Sequence, residues 1–502
     1  MEFTAVIFCG KGKALSPFSQ IRSTGIPKAL LPIANRPMIE YVLEWCNRAF
    51  FPRVIVVTSE DDRDVINDVV ERYQSNKRQD RKNARQENGE DGDGGQGGED
   101  GDDVGEIEVV GFETDHSGAI LAHLYKNELL KENGSDFVIL PCDFVTNLPP
   151  QVLIEAYRNK DDEDLGILVH YRNQFDIEDK KSKIFPKNYT MYSELDINGG
   201  NKCNLLDIYR KEDIDFHKSI QIRTQMCWRY PNTTISTKLL NSTIFFGSTS
   251  KIFPIFNANP EKFTDQYFKS RSITKVIRDL ARRSWKHSTP KESVGLLIVP
   301  YQATFFRSNN LPVLMEANRY FMKQQASSKG HHNQHHQQQD KSAPGAAHVG
   351  IDSLVGENTT LGEKTNVKRT VIGKDCVIGK RVKLTGCLIL DKVVIEDDVQ
   401  LENCIIGHDV VVGHKSRLTN CNVESTNEVS SGTQSKGDTL LCLTLEGLID
   451  GEAGARGEDN GDSSAIYDSE SDEEDEDDES DDETDSDFED EYTGNEDGLF
   501  AY

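Results

Sequence analysis

Val371-Ile372-Gly373-Lys374-Asp375-Cys376-Val377-Ile378-Gly379-Lys380-Arg381-Val382-Lys383-Leu384 is the stretch on which the fold turns. Its apolar residues Ile372, Ile378 and Leu384 stand six apart, and a glycine follows each of the first two. The spacing extends in both directions. Val355, Leu361 and Val367 precede it, and Ile389, Ile395, Leu401, then Ile406, Val412, Leu418, then Val423 follow, so every position recurs after 17 residues. Gly350, Gly356, Gly362, Gly407 and Gly413 repeat the glycine placement. Three short strands per coil, each donating one inward aliphatic residue and turning at glycine, predict a parallel β-solenoid of triangular section. The same register stacks Cys387, Cys404 and Cys421, with Thr370 one coil earlier; a column of small side chains filling one corner is preferred here to a metal ladder. A coil cannot bury its own interior, so the end faces need a cap or a docked neighbour, and another solenoid is the expected one.

Working outward, the solenoid is predicted over 349–446 and is followed by 447–502, an acidic tail. Of the net charge of −28, the stretch from Glu446 to Tyr502 carries 26 acidic residues against one base, Arg456, which leaves the rest of the chain nearly neutral. Its Asp/Glu/Ser composition cannot bury enough apolar surface to order itself. On the other side, 327–348 is polar and includes His331, His332, His335 and His336; a flexible linker is the expectation, with metal binding as the alternative.

The N-terminal portion, 1–326, reads as α/β. Phe3 to Cys9 is an apolar run stopped by Gly10-Lys11-Gly12, as expected of a buried strand. A helix is predicted over Arg36 to Arg48, with Met38, Val42, Trp45, Cys46 and Ala49 on one face. Strand and helix then alternate through Val54–Thr58, Arg63–Tyr73, Glu106–Val110, Gly118–Leu130 and Phe137–Leu140. Alternation of this kind predicts a doubly wound α/β domain on a mostly parallel sheet, its ligand crevice beyond the strands' carboxyl ends. The stretch 76–105 is polar and expected to be a disordered insertion.

Composition narrows the classes of function. A near-neutral body with an acidic tail argues against direct nucleic-acid binding. Ten cysteines without CxxC spacing fit a reducing compartment and no zinc site. No apolar run is long enough to cross a membrane, so the cytosol is the expected location.

Gly10-Lys11-Gly12 lies where a phosphate-binding loop belongs, yet Leu15 breaks a dinucleotide fingerprint, and Ile7 and Ala14 break a Walker loop. What does match is Gly10, Gly12, Leu15 and Pro17 followed by Pro27-Lys28-Ala29-Leu30-Leu31-Pro32 and Arg36-Pro37-Met38-Ile39. This resembles the entry signature of the sugar-nucleotide pyrophosphorylases, in which a nucleotidyltransferase-like α/β domain precedes a left-handed β-helix. In that family a loop arginine and a lysine hold the triphosphate, and two aspartates bind Mg²⁺. Lys28 matches the lysine and Asp143, in Ile139-Leu140-Pro141-Cys142-Asp143, resembles the first aspartate. The arginine position is Ala14, preceded by Lys13, and the second aspartate position falls on Arg307. Replacing a metal-binding carboxylate by a guanidinium argues against transferase activity. Gly10, Gly12, Lys28 and Asp143 remain candidates for a residual nucleotide or anion site taking GTP or GDP, with no resident cofactor, no metal and no catalytic residue.

Further stretches, Asn35 to Val42, Phe137 to Phe144, Tyr230 to Asn241, Asp279 to Ser288 and Asn309-Asn310-Leu311 with Glu316 to Arg319, resemble the gamma-type subunits of the eukaryotic translation initiation factor 2B complex. That resemblance implies a regulatory, non-catalytic subunit of the guanine nucleotide exchange factor for translation initiation factor 2. Its implied partners are a catalytic epsilon-type subunit, the complex's other subunits and the substrate factor. The alternatives are an active pyrophosphorylase of the GDP-mannose type and a scaffold that binds no nucleotide.

Overall fold

β1 (Phe3–Phe8) is buried almost throughout and sits between β2 (Arg53–Thr58) and β4 (Asp136–Pro141), parallel to both; β3 (Glu106–Gly111) extends the parallel set beyond β2. The computed structural model describes residues 3–87, 105–113, 116–126, 136–175, 188–197, 200–210, 214, 216, 218–220, 222–287, 289, 291–332 and 347–442. Among them, β1 to β4 belong to a ten-stranded sheet with β6 (Asp164–Arg172), β7 (Asn188–Ile197), β8 (Gly200–Arg210), β9 (Thr233–Ser236), β10 (Leu239–Gly247) and β11 (Ser293–Ile298). The order is β9-β7-β8-β11-β6-β10-β4-β1-β2-β3. The sheet is more mixed than strand-helix alternation predicts. β10 runs antiparallel to both β4 and β6, and β7 pairs antiparallel with β8 on one side and β9 on the other, which the N-terminal alternation does not reveal.

Helices cover both faces. α1 (Met38–Ala49) buries Met38, Ile39, Val42, Leu43, Trp45 and Cys46, with Pro37 at its N-cap. α2 spans Arg63–Glu87, well past Tyr73. The first part of the expected insertion, 76–87, is therefore helical, because its Lys, Arg, Gln and Ala residues are good helix formers even without an apolar face; 88–104 lie outside the described residues. α3 spans Gly118–Lys126, and the remainder of its expected length lies outside them too. A short pair, β5 (Phe144–Thr146) and β12 (Phe305–Arg307), runs antiparallel with Arg307 opposite Phe144. Among the described residues the later helices are α4 (Pro150–Arg158), α5 (Thr224–Arg229), α6 (Thr249–Ala258), α7 (Asp265–Lys269), α8 (Ile273–Lys286) and α9 (Leu311–His332), so the first residues of the predicted linker continue a helix. The rest of the linker, 333–346, and the acidic tail, 447–502, lie outside the described residues.

From His348 to Leu440 the chain forms three parallel sheets, two of six strands and one of five, as the left-handed β-helix requires. Ile372, Ile378, Leu384, Ile389, Ile395 and Leu401 all point inward and are buried, and the pairing register from Leu354 onward repeats every 17 residues. Thr370, Cys387, Cys404 and Cys421 form the expected buried column. The role assigned to the glycines needs correction. The chain turns through left-handed backbone at Asn358, Asp375, Lys392, Asp409 and Thr426, again at Lys364, Arg381, Asp398 and Lys415, and at Arg369, Gly386, Asn403 and Asn420. Gly356, Gly362, Gly373, Gly379, Gly407 and Gly413 are absent from that set. They are glycines because the next coil's backbone comes too close for a Cβ: at Gly407 it would lie 2.4 Å from the Ser425 amide nitrogen. Gly407→Ala should accordingly destabilise the chain by about 1–3 kcal/mol, the usual cost of overpacking, read as a lower urea midpoint.

The solenoid docks by a side. Outward-facing Val371, Leu388 and Ile405, one per coil, join Leu390 in a cluster with Leu15, Phe18, Leu31, Ile33 and Met38 of the α/β domain and Val313, Leu314, Ala317 and Met322 of α9. Glu424 seals the seam, accepting from Arg22 Nε at 2.8 Å and Thr24 Oγ1 at 2.7 Å with its side chain fully buried. Burial would raise its pKa, but the hydrogen bonds from Arg22 and Thr24 win and hold it lowered. This contact covers one side of the solenoid, not the end faces for which a cap was expected.

Candidate functional site

β1 and β4 end side by side at the sheet's carboxyl edge. β1 delivers Cys9-Gly10-Lys11-Gly12, and β4 delivers Cys142-Asp143. Gly12 has φ 72°, and the Lys28 side-chain stem lies against it; a Cβ there would stand 3.1 Å from Lys28 Cβ. Ser19 Oγ donates to the Gly12 carbonyl at 2.6 Å and pins the loop. Around Gly10 a Cβ would meet nothing within 4 Å, so the backbone there faces open space.

That space is a cavity of about 550 Å³. Gly10, Lys11, Gly12, Lys13 and Lys28 line it together with Arg210, Asn241, Thr274 and Arg307. Five basic side chains against the single acid Glu113 make the lining suited to an anion. Gly10, Gly12 and Lys28 thus come together on the cavity wall. Asp143 does not face it: the residue is fully buried beneath.

The surroundings of Asp143 decide the chemistry. Arg307 grips the carboxylate with two bonds, Nε to Oδ1 at 2.9 Å and Nη2 to Oδ2 at 3.1 Å, while Lys28 Nζ approaches Oδ2 at 2.8 Å. The β5–β12 pairing makes this possible. It sets Arg307 beside Phe144, and the Ser308 amide donates to the Asp143 carbonyl at 2.8 Å. Burial would raise the Asp143 pKa, but the charges of Arg307 and Lys28 overcome it and hold the carboxyl well below the usual range. Both carboxylate oxygens are engaged by cations, and the position of a second carboxylate is itself a cation. These residues do not fit Mg²⁺. They do fit a fixed positive platform, in which Asp143 orients Lys28 and Arg307 and leaves net positive charge facing the cavity.

The sequence singled out Lys28, Asp143 and Arg307 separately; their ion triad depends on the short β5–β12 pairing. Arg210, contributed by a distant strand, carries no sequence signal, whereas Asn241 closes the stretch from Tyr230 that carries the resemblance.

Two domain families match this arrangement. Residues 4–175 match the nucleotidyl transferase family model, and residues 332–434 match the one described as the EIF2B subunit epsilon LbH domain. Translation initiation factor eIF2B subunit gamma of Schizosaccharomyces pombe is 26% identical over 387 residues, covering 73% of this chain and 74% of that protein. The chain resembles the eIF2B gamma subunit. The alignment with eIF2B gamma is longer than the α/β domain of this chain, so the similarity reaches past that domain. Among the described residues no helix is long and apolar enough to cross a membrane.

Proposed function

We propose that this chain is a regulatory, non-catalytic subunit of the guanine nucleotide exchange factor for translation initiation factor 2, working with a catalytic epsilon-type subunit to promote GDP release. The observation that carries this reading is the Arg307–Asp143–Lys28 triad, which fills with protein cations the place where a transferase of this fold holds its metal. A domain so altered keeps its shape and its surfaces while losing its metal chemistry. The similarity to eIF2B gamma supports membership of that assembly. The test is the rate of labelled GDP release from translation initiation factor 2 by the epsilon-type subunit. Adding this chain is expected to accelerate release, while the chain alone gives none; an unchanged rate despite binding would favour the scaffold reading.

The cationic cavity is the site for a nucleotide phosphate group, GTP or GDP, bound without a metal. Calorimetry in Mg²⁺ and in excess EDTA should give affinities within about twofold of each other, since Lys28 and Arg307 replace the ion. Lys28→Met should abolish the binding. One feature favours the pyrophosphorylase alternative, namely that the glycine loop and Lys28 still frame an open cavity. Pyrophosphate release from GTP and mannose phosphate that depends on Lys28 would establish that activity.

A further inference from the structure

We propose that Cys9 and Cys142 form an oxidisable dithiol on the wall of this cavity, closed to a disulfide by hydrogen peroxide or another small hydroperoxide. β1 and β4 are parallel neighbours with Phe8 opposite Pro141, and the next residue on each is the cysteine. The Cys142 amide donates to the Phe8 carbonyl at 3.1 Å and holds the two strand ends together. Facing positions on adjacent strands stand roughly 4.8 Å apart, inside the range of about 4.4–6.8 Å that a disulfide bridges. The two thiols are in hydrogen-bonding reach of each other. Cys9 is partly exposed on the cavity wall and Cys142, 1% exposed, lies against it, so a small oxidant entering the cavity meets Cys9 first and Cys142 resolves the product.

Access separates this pair from the other close thiols. Cys387 and Cys404 also approach each other on neighbouring coils, but they sit in the solenoid interior among Ile389, Leu401 and Ile406. Cys46 is buried in the α/β core. In the proposed step one thiol attacks the peroxide, the O–O bond breaks, and a sulfenic acid and one water form. The second thiol then attacks the sulfenic sulfur, the S–O bond breaks, and a second water leaves with the remaining proton. Two thiols and one peroxide give one disulfide and two waters. Because Gly10 follows Cys9 and Asp143 follows Cys142, the bridge ties the glycine loop to the residue that holds Lys28 and Arg307.

The experiment treats the full chain with hydrogen peroxide, quenches with catalase, alkylates under denaturing conditions and maps the cysteines by mass spectrometry. The expected result is eight of the ten cysteines alkylated, all ten after reduction, and a linked peptide pair joining Cys9 to Cys142 that is two hydrogens lighter than the separate peptides. In Cys142→Ser the bridge should vanish and dimedone should trap a sulfenic acid at Cys9, while in Cys9→Ser the bridge should vanish with no sulfenic acid at Cys142. Ten alkylated cysteines, or losses mapping to Cys227 or the solenoid column instead, overturn the proposal, and mapping of the unsubstituted chain decides it even where a serine variant fails to fold.

Discussion

Asp143→Ala should cost this chain roughly 3–5 kcal/mol of folding stability, the usual penalty for removing one partner of a buried ion pair. The carboxylate is fully buried and answers two cations, so its loss leaves Lys28 and Arg307 facing each other with nothing between them. Lys28 cannot turn fully to water, being 7% exposed with its stem packed on Gly12. Replacing all three by apolar residues, Lys28→Met with Asp143→Leu and Arg307→Met, should recover most of the loss, because the desolvation of three charges disappears with them. The pH dependence follows the same logic. The folded pKa of Asp143 is depressed below its unfolded value of about 3.9, so its contribution is complete above that pH and is lost as pH falls below it. The gap in urea midpoint between Asp143→Ala and the unsubstituted chain should be full at neutral pH and smaller at about pH 3, closing only once pH falls through the much lower folded pKa. An equal gap at both pH values would mean that the carboxylate is not stabilised by its partners.

The solenoid was legible because its inward residues obey a strict period: Ile372, Ile378 and Leu384 are buried by position, whatever the rest of the chain does. The strands β1, β2 and β4 were legible for a similar reason, being continuous apolar runs with sharp ends. What depends on pairs distant in sequence was not. The antiparallel insertion of β10 between β4 and β6 is a matter of topology that no local pattern records. The glycines of the coils announce themselves, but composition does not distinguish a residue that turns the chain from one that lets two backbones approach. In the site, Arg307 could be seen as a lost carboxylate. That it clasps Asp143 from a strand more than 160 residues away could not.

Leu388→Ala should likewise cost about 2–5 kcal/mol, although it lies outside both domain cores. In a free solenoid Leu388 would point to solvent. Here it is 1% exposed, packed with Val371 and Ile405 of adjacent coils against Met38 and the α9 residues Leu314 and Ala317. Val377, on another outer face of the same coil, is 49% exposed, and Val377→Ala should change stability by no more than about 0.5 kcal/mol. The contrast between two outward aliphatic residues, measured by urea unfolding, isolates the seam from the intrinsic stability of the solenoid. Leu388→Ala should also loosen the Arg22–Glu424 contact, and through Arg22 and Ser19 the segment that leads back to Gly12. Removing the whole solenoid before Val349 is then a poor test of partner binding. It uncovers Val313, Leu314 and Met322 on α9, so any lost pairing would mix a missing partner surface with a newly exposed apolar face. A point substitution such as Leu388→Ala keeps that face covered, and a single cooperative transition splitting into two would show that the seam, and not either domain, holds the chain together as one unit.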